Sequence, residues 1–167
     1  WFAPKGVEPV YEYSYGRQNW FDHSAREHHS VRENVGVFDM SSFGKYLVQG
    51  RDACQLLERV SANRMDVDPG RVIYTQWLND DGGIEADLPV TRLSHEEYLV
   101  VTAAASQTRD LHWLKSSIRP GEHVFATDVT GAYSVLSVMG PRSRELLQTL
   151  TPAQLSSEAF PFGTSQE

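Results

Sequence analysis

Asp87 is the residue whose setting could do chemistry: a carboxylate in an apolar setting, within Tyr74-Thr75-Gln76-Trp77-Leu78-Asn79-Asp80-Asp81-Gly82-Gly83-Ile84-Glu85-Ala86-Asp87-Leu88-Pro89-Val90. A carboxylate so held can steady a positive charge or relay a proton. The run itself predicts how it is held. Asn79-Asp80-Asp81-Gly82-Gly83 gathers turn formers between segments rich in β-branched and aromatic residues, which makes a hairpin. On the return strand Ile84, Ala86, Leu88 and Val90 share one face, and Glu85, Asp87, Pro89 and Thr91 the other. Asp87 therefore projects away from the apolar face. The same spacing also describes an ordinary solvated carboxylate, because most aspartates are exposed.

Other chemistries find less support. His28 and His29 are adjacent on a predicted helix and point about 100° apart, and His23 precedes that helix. No histidine pair has the i, i+4 spacing of a helical zinc site, so no metal is expected. There is no Gly-x-Ser-x-Gly elbow, and Gly82-Gly83 has no dinucleotide or P-loop fingerprint around it. The single Cys54 cannot form an internal disulfide. It sits in the helical pattern Ala53, Leu56, Leu57, Val60 and reads as a packed thiol rather than a nucleophile, in keeping with a reducing compartment.

The elements that must position Asp87 follow from periodicity. Trp1 to Phe21, with Pro4, Pro9, three tyrosines and Trp20, reads as an extended arm (1–21) that packs on a neighbour. Asp22-His23-Ser24 offers caps for a helix to about Asn34, with Glu27 completing a capping box from Ser24. Val35 to Ser41 leads into a strand at Gly44–Gln49, and Gly50 to Asn63 has helical spacing. After the hairpin come a strand at Tyr98 to Ala103, a helix from Ser106 to Ser117, strands at Glu122 to Asp128 and Ala132 to Met139, and a helix from Pro141 through Leu150. The order β-α-β-β-β-α-β-β-α predicts an α+β two-layer sandwich: a mostly antiparallel sheet with helices on one face, as in the ferredoxin-like plait.

Composition agrees with one folded domain. The 167 residues are 40% hydrophobic and 22% charged, enough to bury about two-thirds of the unfolded surface. The net charge of −7, with 22 acidic against 15 basic residues and no Lys/Arg cluster, argues against a nucleic-acid partner. No apolar stretch approaches the roughly 20 residues of a membrane span, and Trp1-Phe2-Ala3-Pro4-Lys5 lacks a secretory layout. The chain opens without methionine and ends soon after a helical pattern, as expected of a piece of a longer chain.

The hairpin also resembles a family signature. Glycine-cleavage aminomethyltransferases, and the folate-binding parts of dimethylglycine and sarcosine dehydrogenases, carry a similar tyrosine, turn, Gly-Gly and aspartate, matched here by Tyr74, Gly82, Gly83 and Asp87. Asn34-Val35-Gly36-Val37-Phe38-Asp39-Met40-Ser41 resembles the family's earlier VGxFDxS run, and Val138-Met139-Gly140-Pro141-Arg142-Ser143 its later xxGPxS turn. Three runs in order cover roughly Trp20 to the C-terminus. The resemblance implies that residues 22–167 are the first segment of an aminomethyltransferase-like, folate-binding domain. It implies a pterin pocket with Tyr74 beside the pterin, Asp87 near its reactive nitrogens, Phe43 and Leu47 as apolar lining, and Ala103 where aminomethyltransferases have an asparagine contacting the pterin. An anionic folate tail would need nearby positive charge. Lys45, Arg71 and Arg92 are possible suppliers, although each equally reads as a solvated surface cation.

Ser41-Ser42-Phe43 stands where aminomethyltransferases show SHM, and Ala86-Asp87 where they show paired aspartates; both favour the dehydrogenase-linked branch. The resemblance thus implies the folate-binding portion of an FAD-dependent N-methylglycine (dimethylglycine or sarcosine) dehydrogenase or oxidase, with tetrahydrofolate as cofactor, FAD in a domain outside this segment, the N-methylated amine as substrate, and the flavin domain of the same parent chain as partner. Passing the amine's one-carbon unit to tetrahydrofolate would yield methylenetetrahydrofolate. The compartment expected is the bacterial cytoplasm or the mitochondrial matrix. Alternatives are a stand-alone folate-dependent aminomethyltransferase and a non-catalytic regulatory or scaffold module of the same fold.

Overall fold

A computed structural model describes residues 3–167. Its elements are α1 (Phe21–Glu33), β1 (Gly36–Asp39), β2 (Gly44–Gln49), α2 (Ala53–Val60), β3 (Val72–Leu78), β4 (Ile84–Ser94), β5 (Glu97–Thr102), α3 (Gln107–Ser116), β6 (Phe125–Asp128), β7 (Leu136–Met139) and α4 (Ser143–Gln148). Two compact units share them: one takes 3–38 and Ser137–Leu155, the other Asp39–Leu136 and Ser156–Glu167.

The larger unit is the expected α+β sandwich. Five strands pair antiparallel in the order β3-β4-β5-β2-β6. Within it, β4-β5-β2-β6 has the strand order of the ferredoxin-like plait, and β3 adds an edge strand through the hairpin. Alternation decides which face is covered. Tyr46 and Val48 of β2, Trp77 of β3, Ala86, Leu88 and Val90 of β4, Tyr98 and Val100 of β5 and Ala126 of β6 are all buried on one face. Against them pack Ala53, Leu56, Leu57 and Val60, one stripe of α2, together with Leu114 of α3. Burying each large side chain contributes roughly 1.5–3 kcal/mol. The opposite face carries no helix of this unit.

Several predicted boundaries shift, each for a local reason. The helix predicted at Gly50 to Asn63 is shorter, Ala53–Val60, because Ser61 already has extended backbone. The strand predicted from Glu122 begins only at Phe125, since Glu122 is held by Arg59 and by the Arg119 amide. The strand predicted at Ala132 to Met139 is a strand only at Leu136–Met139. Thr130–Ala132 is a 3₁₀ turn, and β7 pairs with β1 in a separate two-stranded sheet.

In the smaller unit, α1 begins at Phe21, so Ser24 and Glu27 lie inside the helix and the predicted capping box does not form. The Trp20 carbonyl instead accepts the His23 and Ser24 amides, each at 3.1 Å. Residues 3–20 of the predicted arm contain no helix or strand; Trp1 and Phe2 lie outside the described residues. The arm folds back on itself: Asn19 Nδ2 donates to the Val10 carbonyl at 2.8 Å, and the Tyr11 and Tyr13 rings lie 4.7 Å apart. Gly140, at φ 122°, sits directly on the Val31 and Asn34 carbonyls, where any β-carbon would collide. The Ser143 amide bonds back to the Gly140 carbonyl, which makes Pro141 part of a turn and delays α4 to Ser143.

Candidate functional site

The open face of the five-stranded sheet receives the residues that alternate with the core. The hairpin presents Tyr74 and Asp87 there together. Gln76 lies opposite Asp87, and Tyr74 opposite Pro89, so tyrosine and aspartate are diagonal neighbours on one face. Gln76 Nε2 donates to Asp87 Oδ1 at 2.8 Å. The neighbouring Asp87 carboxylate pushes the Tyr74 pKa up, chiefly by accepting from the protonated phenol, with partial desolvation and the Asp87 charge adding to the shift. Tyr74 is 59% exposed.

The turn that aims this pair is organised by Asn79. Its Oδ1 accepts the Asp81 and Gly83 amides at 3.1 and 2.8 Å, while Nδ2 donates to Glu85 Oε1 at 2.8 Å. Gly82 takes φ 78°, the left-handed conformation that a glycine adopts without steric cost. A register shift between Trp77 and Leu78 puts Ile84 opposite Leu78 and leaves Ile84 67% exposed. Ile84 therefore does not share the buried face of Ala86, Leu88 and Val90, as strict alternation predicts. Asp87 does project away from that face and is exposed.

The remaining predicted site residues share the open face at different depths. Gly44 pairs with Thr102, so Phe43 and Ala103 meet at the adjoining ends of β2 and β5. Val90, opposite Val100, is the last residue of β4 paired with β5 toward the hairpin turn, and Asp87 and Ala103 each lie three residues further toward the same end of the sheet. Gln76, Asp87, Ala103 and Phe43 thus gather at one end of the open face. Leu47 pairs with Leu99, in the row of Thr91, which is four residues or roughly 13 Å along the strands from Asp87. Only a ligand with an extended body reaches both. Gln76, Pro89, Leu99 and Val101 complete the face and were missed from sequence; the signal for Gln76 was its place two residues after Tyr74 on a strand.

Two cations expected to be solvated are not. Lys45 is 1% exposed, and its Nζ donates to the Ser41 and Phe43 carbonyls, both at 2.9 Å. It lies on the open face, curled beneath the 41–43 loop whose carbonyls take up its charge. Arg92 is on the helix side, 7% exposed, bonded to Asp66 Oδ1 at 2.8 Å and to the Val67, Ser94 and His95 carbonyls. Both are engaged in holding loops; Arg71 is exposed. Among the described residues, no group of three or more His, Cys, Asp or Glu is placed to hold a metal. No helix among them is long and apolar enough to cross a membrane.

Comparison with known proteins gives a consistent result. Residues 1–167 match the family model described as the GCVT N-terminal domain. The chain is 42% identical, over 95% of its length, to 4-methylaminobutanoate oxidase (formaldehyde-forming) of Paenarthrobacter nicotinovorans, and 37% identical, over 97%, to mitochondrial dimethylglycine dehydrogenase of Mus musculus. It spans 19% of the length of each. The glycine cleavage system aminomethyltransferase T of Bartonella henselae superposes with a TM-score of 0.73 at 24% identity, covering 83% of this chain and 37% of that one, and so shares the fold.

Proposed function

Because this chain belongs to the GCVT N-terminal domain family, we propose that the open sheet face is its share of a tetrahydrofolate site, in a parent protein that demethylates an N-methylated amine. The observation that carries the reading is the Tyr74–Asp87–Gln76 cluster, placed on an apolar, flat face by a hairpin. A pterin is planar and edged with N–H donors. A carboxylate acceptor beside exposed aromatic and aliphatic surface suits that chemistry. The oxidase and dehydrogenase names of the relatives support an amine substrate, with FAD held in another part of the parent chain.

Tetrahydrofolate, when bound, supplies the two nitrogens that take the amine's oxidised carbon as a methylene bridge, with release of the demethylated amine and a proton. The roles of this chain's residues follow from the geometry. Asp87 sets a negative charge against a cationic one-carbon electrophile and offers a carboxylate oxygen to the departing proton, a kind of assistance that contributes about 10²–10⁴-fold. Gln76 donates a hydrogen bond to that carboxylate and fixes its orientation, with Tyr74 beside it on the same face. Phe43, Leu47 and Ala103 provide apolar surface that excludes water, which would otherwise release the carbon as formaldehyde.

The test is calorimetric titration of tetrahydrofolate into the full-length parent protein, comparing wild type, Asp87→Ala and Asp80→Ala. Asp80 is exposed in the hairpin turn. Binding that weakens with Asp87→Ala and persists with Asp80→Ala supports the reading. Equal loss in both removes the role of Asp87, and a wild type that does not bind favours a scaffold role for the domain.

A further inference from the structure

Asp110 is the buried carboxylate that the folate face does not use. It lies in the first turn of α3 with 2% exposure. Its Oδ2 accepts the Thr102 hydroxyl, and its Oδ1 accepts Nε and Nη2 of the neighbouring Arg109 at 3.1 and 3.0 Å. Arg109 Nη2 also donates to the main-chain carbonyl of Glu85. One link therefore ends on β5, a single residue before Ala103, and the other on β4, two residues before Asp87.

The same helical turn grips two more strands. Tyr46 of β2 donates its hydroxyl to the Gln107 carbonyl at 2.5 Å, and Gln107 Nε2 donates to Asp128 Oδ2 of β6 at 2.9 Å and to Thr130 Oγ1 at 3.0 Å. Four strands are thus fastened to one turn, at the end of the sheet that carries Asp87, Ala103 and Phe43. Hydrogen bonds within a helix would satisfy neither Asp110 nor Arg109. A buried carboxylate is costly to keep without such partners, so its retention here needs a reason beyond packing.

We infer that Arg109 and Asp110 are positioning residues for the one-carbon transfer site: with Thr102 they clamp β4 and β5 so that Asp87 stands at a fixed height over the folate face. The inference rests on the folate reading above. Arg109 is the more informative handle, because its side chain is 61% exposed and its replacement leaves the core intact.

The experiment uses the full-length parent enzyme at saturating tetrahydrofolate and measures the ratio of methylenetetrahydrofolate to free formaldehyde. The variants are Arg109→Gln, Asp110→Asn and each combined with Asp87→Asn, with melting temperatures recorded alongside. Arg109→Gln is expected to lower the ratio by about fivefold to tenfold, the scale of one ordinary hydrogen bond; its melting temperature falls as well, because Asp110 loses its cation, so the ratio is read well below melting. It should add nothing in the Asp87→Asn background, since a clamp acting through Asp87 has nothing left to position. A wild-type ratio in Arg109→Gln, or a loss that adds in full to that of Asp87→Asn, overturns the inference while leaving the folate reading in place. A wild type that makes no methylenetetrahydrofolate overturns both.

Discussion

Asn79→Ala is expected to loosen the turn end of the β3–β4 hairpin while the rest of the sheet stays closed. One side chain makes three hydrogen bonds there, to the Asp81 and Gly83 amides and to the Glu85 carboxylate. At a net of about 1 kcal/mol each they sum to about 3 kcal/mol. Asp81, Gly83 and the turn between them face water and regain hydration once the asparagine is gone, so about half of that is the expected loss. It falls on local opening, because the Tyr46, Val48 and Val100 core is carried by other strands, β2 and β5. Amide hydrogen exchange in the parent protein reads it directly. About 1.5–2 kcal/mol predicts exchange roughly 10- to 30-fold faster at residues 76–78 and 84–87, with residues 46–48 of β2 unchanged. Unchanged exchange in the hairpin, or equal acceleration throughout the sheet, refutes the claim that Asn79 sets the hairpin that aims Asp87.

The remaining predictions concern stability. Cys54 is half-buried on α2 and packs against the core. Cys54→Ser should therefore lower stability by about 1–3 kcal/mol, with unaltered tetrahydrofolate affinity, because a hydroxyl replaces a packed thiol; paired denaturation and titration curves check both halves. Glu122 is held below its ordinary pKa chiefly by its hydrogen bond from Arg59, then by the Arg119 amide. A depressed carboxylate contributes stability that is present above its unfolded value and lost as pH falls through the folded one. Wild type should accordingly melt above Glu122→Gln at neutral pH and converge with it below about pH 4; a gap that widens on acidification contradicts the pairing.

What could be read from sequence was what is local. The hairpin was legible because Asn79 to Gly83 is all turn chemistry and because Ala86, Leu88 and Val90 alternate cleanly with Asp87. The order β3-β4-β5-β2-β6 was not, since placing β2 between β5 and β6 depends on pairings some 50 and 80 residues distant in sequence. Arg92 was misjudged although its signal was present: it continues the buried series Ala86, Leu88, Val90, and a cation in that series must bring partners inside. Lys45 gave no such warning. It alternates with Tyr46 onto the open face, and its burial comes from a loop, 41–43, whose carbonyls close over the ammonium. The clamp at Thr102, Arg109 and Asp110 was equally hidden, because Arg109 and Asp110 sit in an ordinary polar helix start until β4 and β5 are brought under them.

The exposure of the open sheet face bears on how Asp87 would act in the proposed site. A carboxylate about 4 Å from a cation in bulk water contributes roughly 1 kcal/mol, and about 4 kcal/mol where surrounding protein lowers the effective dielectric to about 20. The difference, about 3 kcal/mol, is a factor of more than 100 in rate or affinity. In this chain Tyr74 and Phe125 are 59% and 69% exposed on that face, and Asp87 is exposed beside them. The larger figure then requires the face to be covered by ligand or by other parts of the parent protein. The hydrogen bonds from Gln76 to Asp87 and from the start of α3 to β4 and β5 are properties of this segment. The strength of the charge it positions belongs to the assembled site, so substitutions at Arg109 and Asp87 should be measured there.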